Sequence, residues 1–171
     1  AGDAPIELEG KLYNDRRDRP QTNFEQVSPG FFGLLGQHVV DGRGLTDDDL
    51  QSRRAIAVVN AALAQKPCGS ESAIAPRFRT GDGTGPYGPW RTIVGVVTTV
   101  RMLPPFNNPN VDAAGFYVPF YSNPVGPDET IAANQFATVL VKPRAGQRPD
   151  ALASTLRREI TKLDANLPLY F

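Results

Sequence analysis

Apolar and polar positions along the 171-residue chain form short runs separated by turn residues, which predicts strands more often than long helices. The strongest apolar run covers residues 90–100, and its β-branched and aromatic residues suit a buried central strand. Gly85, Pro86, Gly88 and Pro89 come directly before this run and predict a loop that ends at its first residue. We therefore expect the rest of the chain to be arranged around this strand.

Further strands are predicted where β-branched or aromatic runs lie between turn residues. Residues 6–10 alternate apolar and acidic side chains, which predicts an edge strand, and Pro119 predicts a second edge strand over residues 116–120. The other predicted strands cover residues 23–27, 37–40, 55–59 and 136–141, and a last one begins at residue 169.

Two helices are predicted from end signals and apolar spacing. Ser28 and Gly36 delimit a short helix in which Phe31, Leu34 and Leu35 share a buried face. The clearest helix follows Pro149, because leucine or isoleucine recurs at every third or fourth position up to residue 163. We expect this second helix to pack its apolar side against a sheet.

Capping residues mark two more helix starts. Thr46 can cap a helix, and the three aspartates after it complement the positive end of the helix dipole. A calcium loop is the alternative, but its ligands would alternate around a glycine, whereas these aspartates are consecutive. Asn60 follows the strand at residues 55–59 and caps a helix that ends before Pro67.

Composition narrows the function classes. Eighteen basic and eighteen acidic residues balance, so bulk charge does not attract the chain to nucleic acid or to an anionic membrane surface. The single cysteine, Cys68, cannot form an intrachain disulfide. No apolar run approaches the roughly 18 residues that span a bilayer. Because the chain starts at Ala1 and stops inside an apolar strand signal, we expect it to be a piece excised from a larger protein.

Residues that could perform catalysis are sparse. His38 is the only histidine, and no cysteine lies near it in sequence, so a structural or exposed role is expected. The glycine-rich residues 81–85 lack the lysine, the hydroxyl and the following helix of a phosphate-binding loop, so we interpret them as a turn. The mixed charges of residues 14–19 favour a solvated loop over an anion-binding arginine cluster. We expect no enzymatic activity, no catalytic residue, no cofactor and no metal site.

One loop is a candidate contact site. Residues 102–114 form a connection rich in proline and asparagine, and it contains the apolar stretch Leu103, Pro104, Pro105 and Phe106. Loops carry function more often than the elements they connect, so this stretch is a candidate partner contact. A plain surface crossover with a few apolar anchors is the alternative.

Seven short stretches occur in an order that resembles a known family. They are VSPGFF at residues 27–32 with LG at 35–36, DGRGLTD at 41–47, IAVVN at 56–60, WRTIVGVV at 90–97, YVP at 117–119, TVLV at 138–141, and the helix from 152 with LD at 163–164 and LP at 167–168. In this order they resemble the MacB-like periplasmic core domain of FtsX/MacB-type ABC transporter permeases. Residues 68–73 and 98–101 depart from the family pattern, which affects loop geometry rather than the fold.

The resemblance implies an α+β fold with two lobes: a β-α-β, porter-like lobe and an inserted lobe built on a small mixed β-sheet. The whole of residues 1–171 would be a single core fragment. Lobe A would comprise residues 1–45 plus 134–171, and inserted lobe B residues 46–133, with the strand at residues 90–100 as its spine.

The resemblance also implies a function. The chain would be the periplasmic, extracytoplasmic domain of a bacterial cytoplasmic-membrane permease, and it would transmit motion or contact substrate or partner proteins during export, efflux or membrane remodelling. Implied partners are its own transmembrane helices, a cytoplasmic ATP-binding subunit or domain, a periplasmic adaptor protein and a second copy of the permease, but not nucleic acid. A free-standing ligand-binding module and a carboxylate-based hydrolase are the alternatives. No matched residue selects a cargo or assigns a role to Cys68 or His38.

Overall fold

Seven strands form one mixed sheet in the first of two units, residues 1–135 and 136–171, of the computed structural model. The structure describes residues 2–66, 76–100, 113–120 and 138–167. The strands are β1 (Gly2–Leu8), β2 (Gln21–Val27), β3 (Val39–Gly42), β4 (Ile56–Asn60), β5 (Arg77–Thr80), β6 (Arg91–Val97) and β7 (Gly115–Pro119). The helices are a 3-10 turn (Arg16–Asp18), α1 (Phe31–Leu35), α2 (Asp47–Gln51), α3 (Ala61–Ala64) and, in the second unit, α4 (Asp150–Leu163).

The sheet closes on itself through β6. The strand order is β3-β6-β4-β7-β2-β1-β5, and β5 pairs with β6 as well as with β1. β4 pairs with β6 in parallel along its whole length, so β5 and β3 share the other edge of β6. Six strands therefore form a ring, and β3 is attached to it from outside.

Two groups of apolar side chains pack on the two sides of β4 and β7. Phe116 contacts Phe24 and Phe78 in one group, with ring centroids 5.6 and 4.9 Å away. Tyr117 packs edge-on against Phe32 in the other, with ring centroids 5.1 Å apart. Every residue of β4 and β7 is buried, so these two strands carry the core.

Capping residues start α2 and α3 as predicted, but Ser28 does not cap α1, which begins after Gly30 without a side-chain capping bond. Thr46 and Asp49 make reciprocal capping bonds at the start of α2. The Asn60 side chain accepts a hydrogen bond from the Leu63 amide and starts α3. Gly36 ends α1 with φ 70°, a left-handed conformation that glycine adopts at low cost.

The central position of the strand at residues 90–100 is confirmed, although the regular strand is shorter than predicted. Both edge-strand predictions are wrong, because β1 pairs with β2 and β5, and β7 pairs with β2 and β4. Pro119 is compatible with an inner strand because it is the last residue of β7. The next amide, that of Phe120, donates to the Val27 carbonyl at 2.9 Å.

Three further expectations need correction. Phe32 is the buried residue of α1, whereas Leu35 is 47% exposed. Residues 138–141 are exposed and form no strand, since a strand-forming sequence needs a partner strand that the described residues do not supply there. The predicted strand from residue 169 and residues 136–137 lie outside the described residues.

The mixed α/β class is confirmed, but the sheet does not separate at residue 45. β1, β2 and β3 belong to residues 1–45, and they pair with β5, β7 and β6 respectively. This corrects the expectation of a separate inserted sheet, because strand pairing joins segments that are far apart in the chain. The assignment of residues 134–171 to lobe A stays a prediction.

The second unit contains the predicted amphipathic helix. α4 begins directly after Pro149 as expected, and Leu152, Leu156 and Ile160 are half-buried. Leu163 is 88% exposed. Packing of this helix against a sheet stays a prediction. Among the described residues, none of the helices has the length and apolar character to cross a membrane.

β3 is a short, exposed strand with an irregular edge. Its pairing with β6 shifts register between Val39 and Asp41, so Val40 bulges out. The Asp41 carboxylate accepts a hydrogen bond from the Gly42 amide at 2.8 Å. The Arg43 amide then donates to the Val94 carbonyl at 3.0 Å, which brings the chain across β6.

We predict that Gly95→Ala destabilises the protein, because a Cβ at Gly95 would overlap the backbone carbonyl oxygen of Arg43. Backbone atoms cannot move aside as a side chain can, so a loss of about 1–3 kcal/mol in the free energy of unfolding is expected. Urea denaturation measures this loss. The matched control is Gly33→Ala in α1, where a Cβ meets nothing within 4 Å. It should be neutral or slightly stabilising, and equal effects of the two changes would contradict the packing argument.

Candidate functional site

The predicted contact stretch and the lone cysteine cannot be located. Leu103, Pro104, Pro105, Phe106 and Cys68 lie outside the described residues, so the contact stays a prediction. His38 is exposed, and its backbone exchanges hydrogen bonds with Thr98. In the described ranges, no group of three His, Cys, Asp or Glu side chains is placed to hold a metal ion.

The most developed polar arrangement is centred on the carboxylate of Glu7. Arg19 donates from Nε and Nη2 to Oε1 at 2.8 and 2.6 Å, and Arg79 donates from Nε and Nη2 to Oε2 at 2.9 and 2.7 Å. Glu7 and Arg79 lie directly opposite each other on antiparallel β1 and β5. Each oxygen of one carboxylate therefore binds one guanidinium group, and we call these three residues the Glu7 cluster.

The strand pattern explains why this charge lies on the outer side of the sheet. Ile6, Leu8 and Phe78 point into the core, so their neighbours Glu7 and Arg79 point away from it. The Glu7 side chain is only 10% exposed and that of Arg19 9%. The cluster is thus shielded from solvent although it is not in the apolar core.

Aromatic rings surround the guanidinium groups. Arg79 lies 3.7 Å from the ring centroid of Tyr87 and 4.8 Å from that of Trp90. Arg77 lies 5.8 Å from the Trp90 ring, and Arg19 lies 5.2 Å from the Tyr13 ring. At these distances a cation is attracted to the face of a ring.

The predicted turn at residues 81–85 covers part of the cluster. The segment contains bends and no helix, as expected, and Asp82 binds Thr84 and Arg16. A Cβ at Gly83 would come within 2.7 Å of the Arg19 guanidinium, so glycine allows the turn to pass close over this group. Gly83 therefore serves packing on an arginine.

The charge environment shifts the pKa of Glu7. Burial favours the protonated form and would raise the pKa, but the hydrogen bonds from Arg19 and then Arg79 outweigh it. The pKa of Glu7 is therefore below its usual value. Hydrogen bonding to Glu7 likewise raises the pKa of Arg19.

A second ion pair joins the exit of β3 to α2. Arg43 donates from Nη1 and Nη2 to the two carboxylate oxygens of Asp49 at 2.6 and 3.0 Å. Burial would raise the pKa of Asp49, but the bonds from Arg43 and Thr46 lower it overall. One of the three consecutive aspartates is thus a buried structural anion, which also completes the capping box of Thr46, the predicted cap.

Sequence reasoning missed the Glu7 cluster because residues 14–19 were expected to be a solvated loop. Most of that segment is exposed, but the Arg19 side chain is not. A signal was present: Glu7 lies between Ile6 and Leu8, and Arg79 follows Phe78, so strand alternation predicts two outward charges of opposite sign. Their pairing across 72 positions was not predictable from either run alone.

The cluster is suited to holding structure and to binding, not to transferring groups. Both oxygens of Glu7 are engaged by permanently charged guanidinium groups, so this carboxylate is a poor general base. The exposed face of the arrangement consists of arginine, tyrosine and tryptophan, which are the residue types enriched at binding hot spots.

Comparison with known proteins assigns a family. The sequence matches the family described as MacB-like periplasmic core domain over residues 4–159. The fold is similar to the periplasmic region of MacB from Actinobacillus actinomycetemcomitans, with a TM-score of 0.62, 13% identity, and coverage of 95% of this chain and 63% of that chain. It is also similar to a domain of a putative permease protein from Porphyromonas gingivalis, with a TM-score of 0.57, 21% identity, and coverage of 95% and 65%.

At these identities the two structures show a shared fold only. The chain spans slightly less than two thirds of the length of each. No match was found among curated proteins.

We predict that Glu7→Gln lowers the free energy of unfolding by about 2 kcal/mol at pH 7, because two charge-assisted interactions lose their anion. The lowered pKa of Glu7 stabilises the fold above the unfolded-state pKa of about 4.3. That stabilisation is lost as pH falls through the lower pKa of the folded state. The difference between wild type and variant should therefore shrink towards zero on acidification. Denaturation series at several pH values measure it.

Glu9→Gln is the matched control. Glu9 pairs with Arg77, but both side chains are about half exposed, at 47% and 44%. Exposed pairs of this kind contribute little, so a change below about 1 kcal/mol is expected. A Glu7→Gln effect that is no larger than this, or one that does not depend on pH, would contradict the role of the cluster.

Proposed function

Since the chain belongs to the family of MacB-like periplasmic core domains, we propose that it transmits motion, as a rigid and non-catalytic body, in the permease of an ABC transporter. As a member of this family, it is the periplasmic domain of a MacB/FtsX-like permease. ATP would be hydrolysed in a separate cytoplasmic unit, and the periplasmic domain would follow the movement of the transmembrane helices.

The observation that carries this proposal is the closed ring of strands. β1 pairs with β2 and β5, and β5 pairs with β6, so each strand of the ring is hydrogen-bonded to a neighbour on both sides. Slippage by one residue would also turn the buried side chains outward. A displacement applied at β1 would then move the whole ring.

The proposed partners follow from this role. They are the transmembrane helices of the same permease and a cytoplasmic ATP-binding subunit or domain, with a periplasmic adaptor protein and a second permease copy as further partners. Leu103 to Phe106 remain the proposed partner contact in the loop.

The two alternative functions, a binding module and a hydrolase, predict different observations. A free-standing binding module would be encoded by a gene with a signal peptide and no flanking transmembrane segments, whereas a permease gene would encode such segments on both sides. A carboxylate-based hydrolase would need a free acid or base, and hydrolysis of ATP by the isolated chain above background would contradict the non-catalytic role.

We predict that the domain moves without changing its internal shape. Spin labels at positions 12 and 40, which are 93% and 56% exposed, would report the interior distance in the full-length permease on a Cys68→Ser background. Pulsed electron paramagnetic resonance should give the same 12-to-40 distance with and without ATP. The distance between a label at position 12 and a second label on a transmembrane helix should change when ATP is added. An altered interior distance, or no change in this second distance, would refute rigid transmission.

The loop contact has its own test. Phe106→Ala should reduce recovery of co-purifying proteins with the full-length permease, because a large apolar anchor is lost. Leu35→Ala is the matched control, since Leu35 is 47% exposed on α1, away from the proposed contact in sequence. Equal recovery by wild type and Phe106→Ala would remove the contact.

A further inference from the structure

Two arginines and two aromatic rings alternate on the outer side of β5. The order is Arg77, Trp90, Arg79 and Tyr87, with cation-to-centroid distances of 5.8, 4.8 and 3.7 Å along the series. We call these four residues the cation–aromatic ladder. All four are accessible, with Arg77 side-chain exposure at 44% and Arg79 at 27%.

The charge on this surface is only partly neutralised. Arg19 and Arg79 share the single negative charge of Glu7, which leaves an excess of one positive charge. Arg79 uses Nε and Nη2 for Glu7, and its Nη1 binds no other described residue. Among the described residues, Arg77 is bound only through Nη1, to Glu9 at 3.1 Å, and its side chain is 44% exposed.

The ladder is pre-organised for a planar anion. Cation–π attraction to Trp90 favours the observed positions of both guanidinium groups, so less rotamer freedom is lost when a ligand binds. An arginine fork matches a carboxylate in geometry. A phosphate dianion fits less well, because Glu7 and Glu9 lie beside the arginines and would repel a second negative charge.

We propose that the cation–aromatic ladder is a docking surface for a carboxylate-rich segment of a partner protein. An incoming carboxylate takes the donors of Arg77, in place of the weak contact to Glu9, and reaches Nη1 of Arg79. The rings of Trp90 and Tyr87 supply the adjoining apolar contact. An anionic lipid surface is less suitable, because such surfaces attract uninterrupted clusters of basic residues, and carboxylates interrupt this one. The ladder shares no residue with the loop contact, and the proposal does not depend on rigid transmission.

The only tryptophan of the chain, Trp90, reports binding directly. The probe is a ten-residue peptide of alternating glutamate and glycine, titrated into the purified chain at low salt while Trp90 emission is followed. The emission should change saturably, and the corresponding glutamine–glycine peptide should have no effect. Arg77→Gln should raise the Kd about tenfold, while Glu9→Gln should lower it, because a competing carboxylate is removed.

Two exposed positions on α4 provide matched controls for charge. Arg158→Gln changes the net charge as Arg77→Gln does, and Glu159→Gln changes it as Glu9→Gln does. Neither α4 variant should alter the Kd more than about twofold. Equal effects in the ladder and on α4 would overturn the proposal in favour of bulk electrostatics. It would also be overturned by equal responses to both peptides, by no response in emission or calorimetry, or by a response to anionic-lipid vesicles without one to the peptide.

Discussion

The structure depends on the way β6 divides its two edges among three strands. β4 occupies one edge along its full length, while β5 and β3 share the other. This division closes the ring through β5 and still leaves room for β3 outside it. The chain can leave β3 across β6 because Gly95 has no side chain at the point where the Arg43 backbone crosses. Both core groups then lie against β4 and β7, the two strands buried on both faces.

Sequence reasoning succeeded where the determining interactions are local. The caps at Thr46 and Asn60 and the stop at Gly36 act within one helical turn, and the structure confirms each of them. The run at residues 90–100 was identified as central from its composition alone. By contrast, strand partners depend on residues far away in the chain, so the edge assignments for residues 6–10 and 116–120 failed. The family was predictable because an ordered series of short signals is more specific than any one of them.

The candidate site was less predictable than the fold. In the sequence, the position of Glu7 indicates only that an acidic side chain points outward. It becomes the centre of a cluster because Arg19 and Arg79, from two separate segments, both bind its carboxylate. Residues 81–85 were correctly interpreted as a turn. The sequence did not reveal why glycine is needed at position 83, where the Arg19 guanidinium leaves no room for a side chain. A single strand pattern cannot reveal such contacts, because they form only after the register of β1 and β5 is set. The Glu7–Arg79 ion pair in turn joins β1 to β5, so these surface charges also stabilise the ring.

The irregular edge of β3 has a consequence for any contact between two copies of this domain. A flat, exposed strand would offer its amides and carbonyls to the same strand of a neighbour, and the two sheets could fuse and propagate into fibrils. Here the bulge at Val40 breaks the regular spacing, and the Asp41 carboxylate occupies the Gly42 amide. The exposed edge of β3 is therefore a poor template for pairing with a strand of another copy.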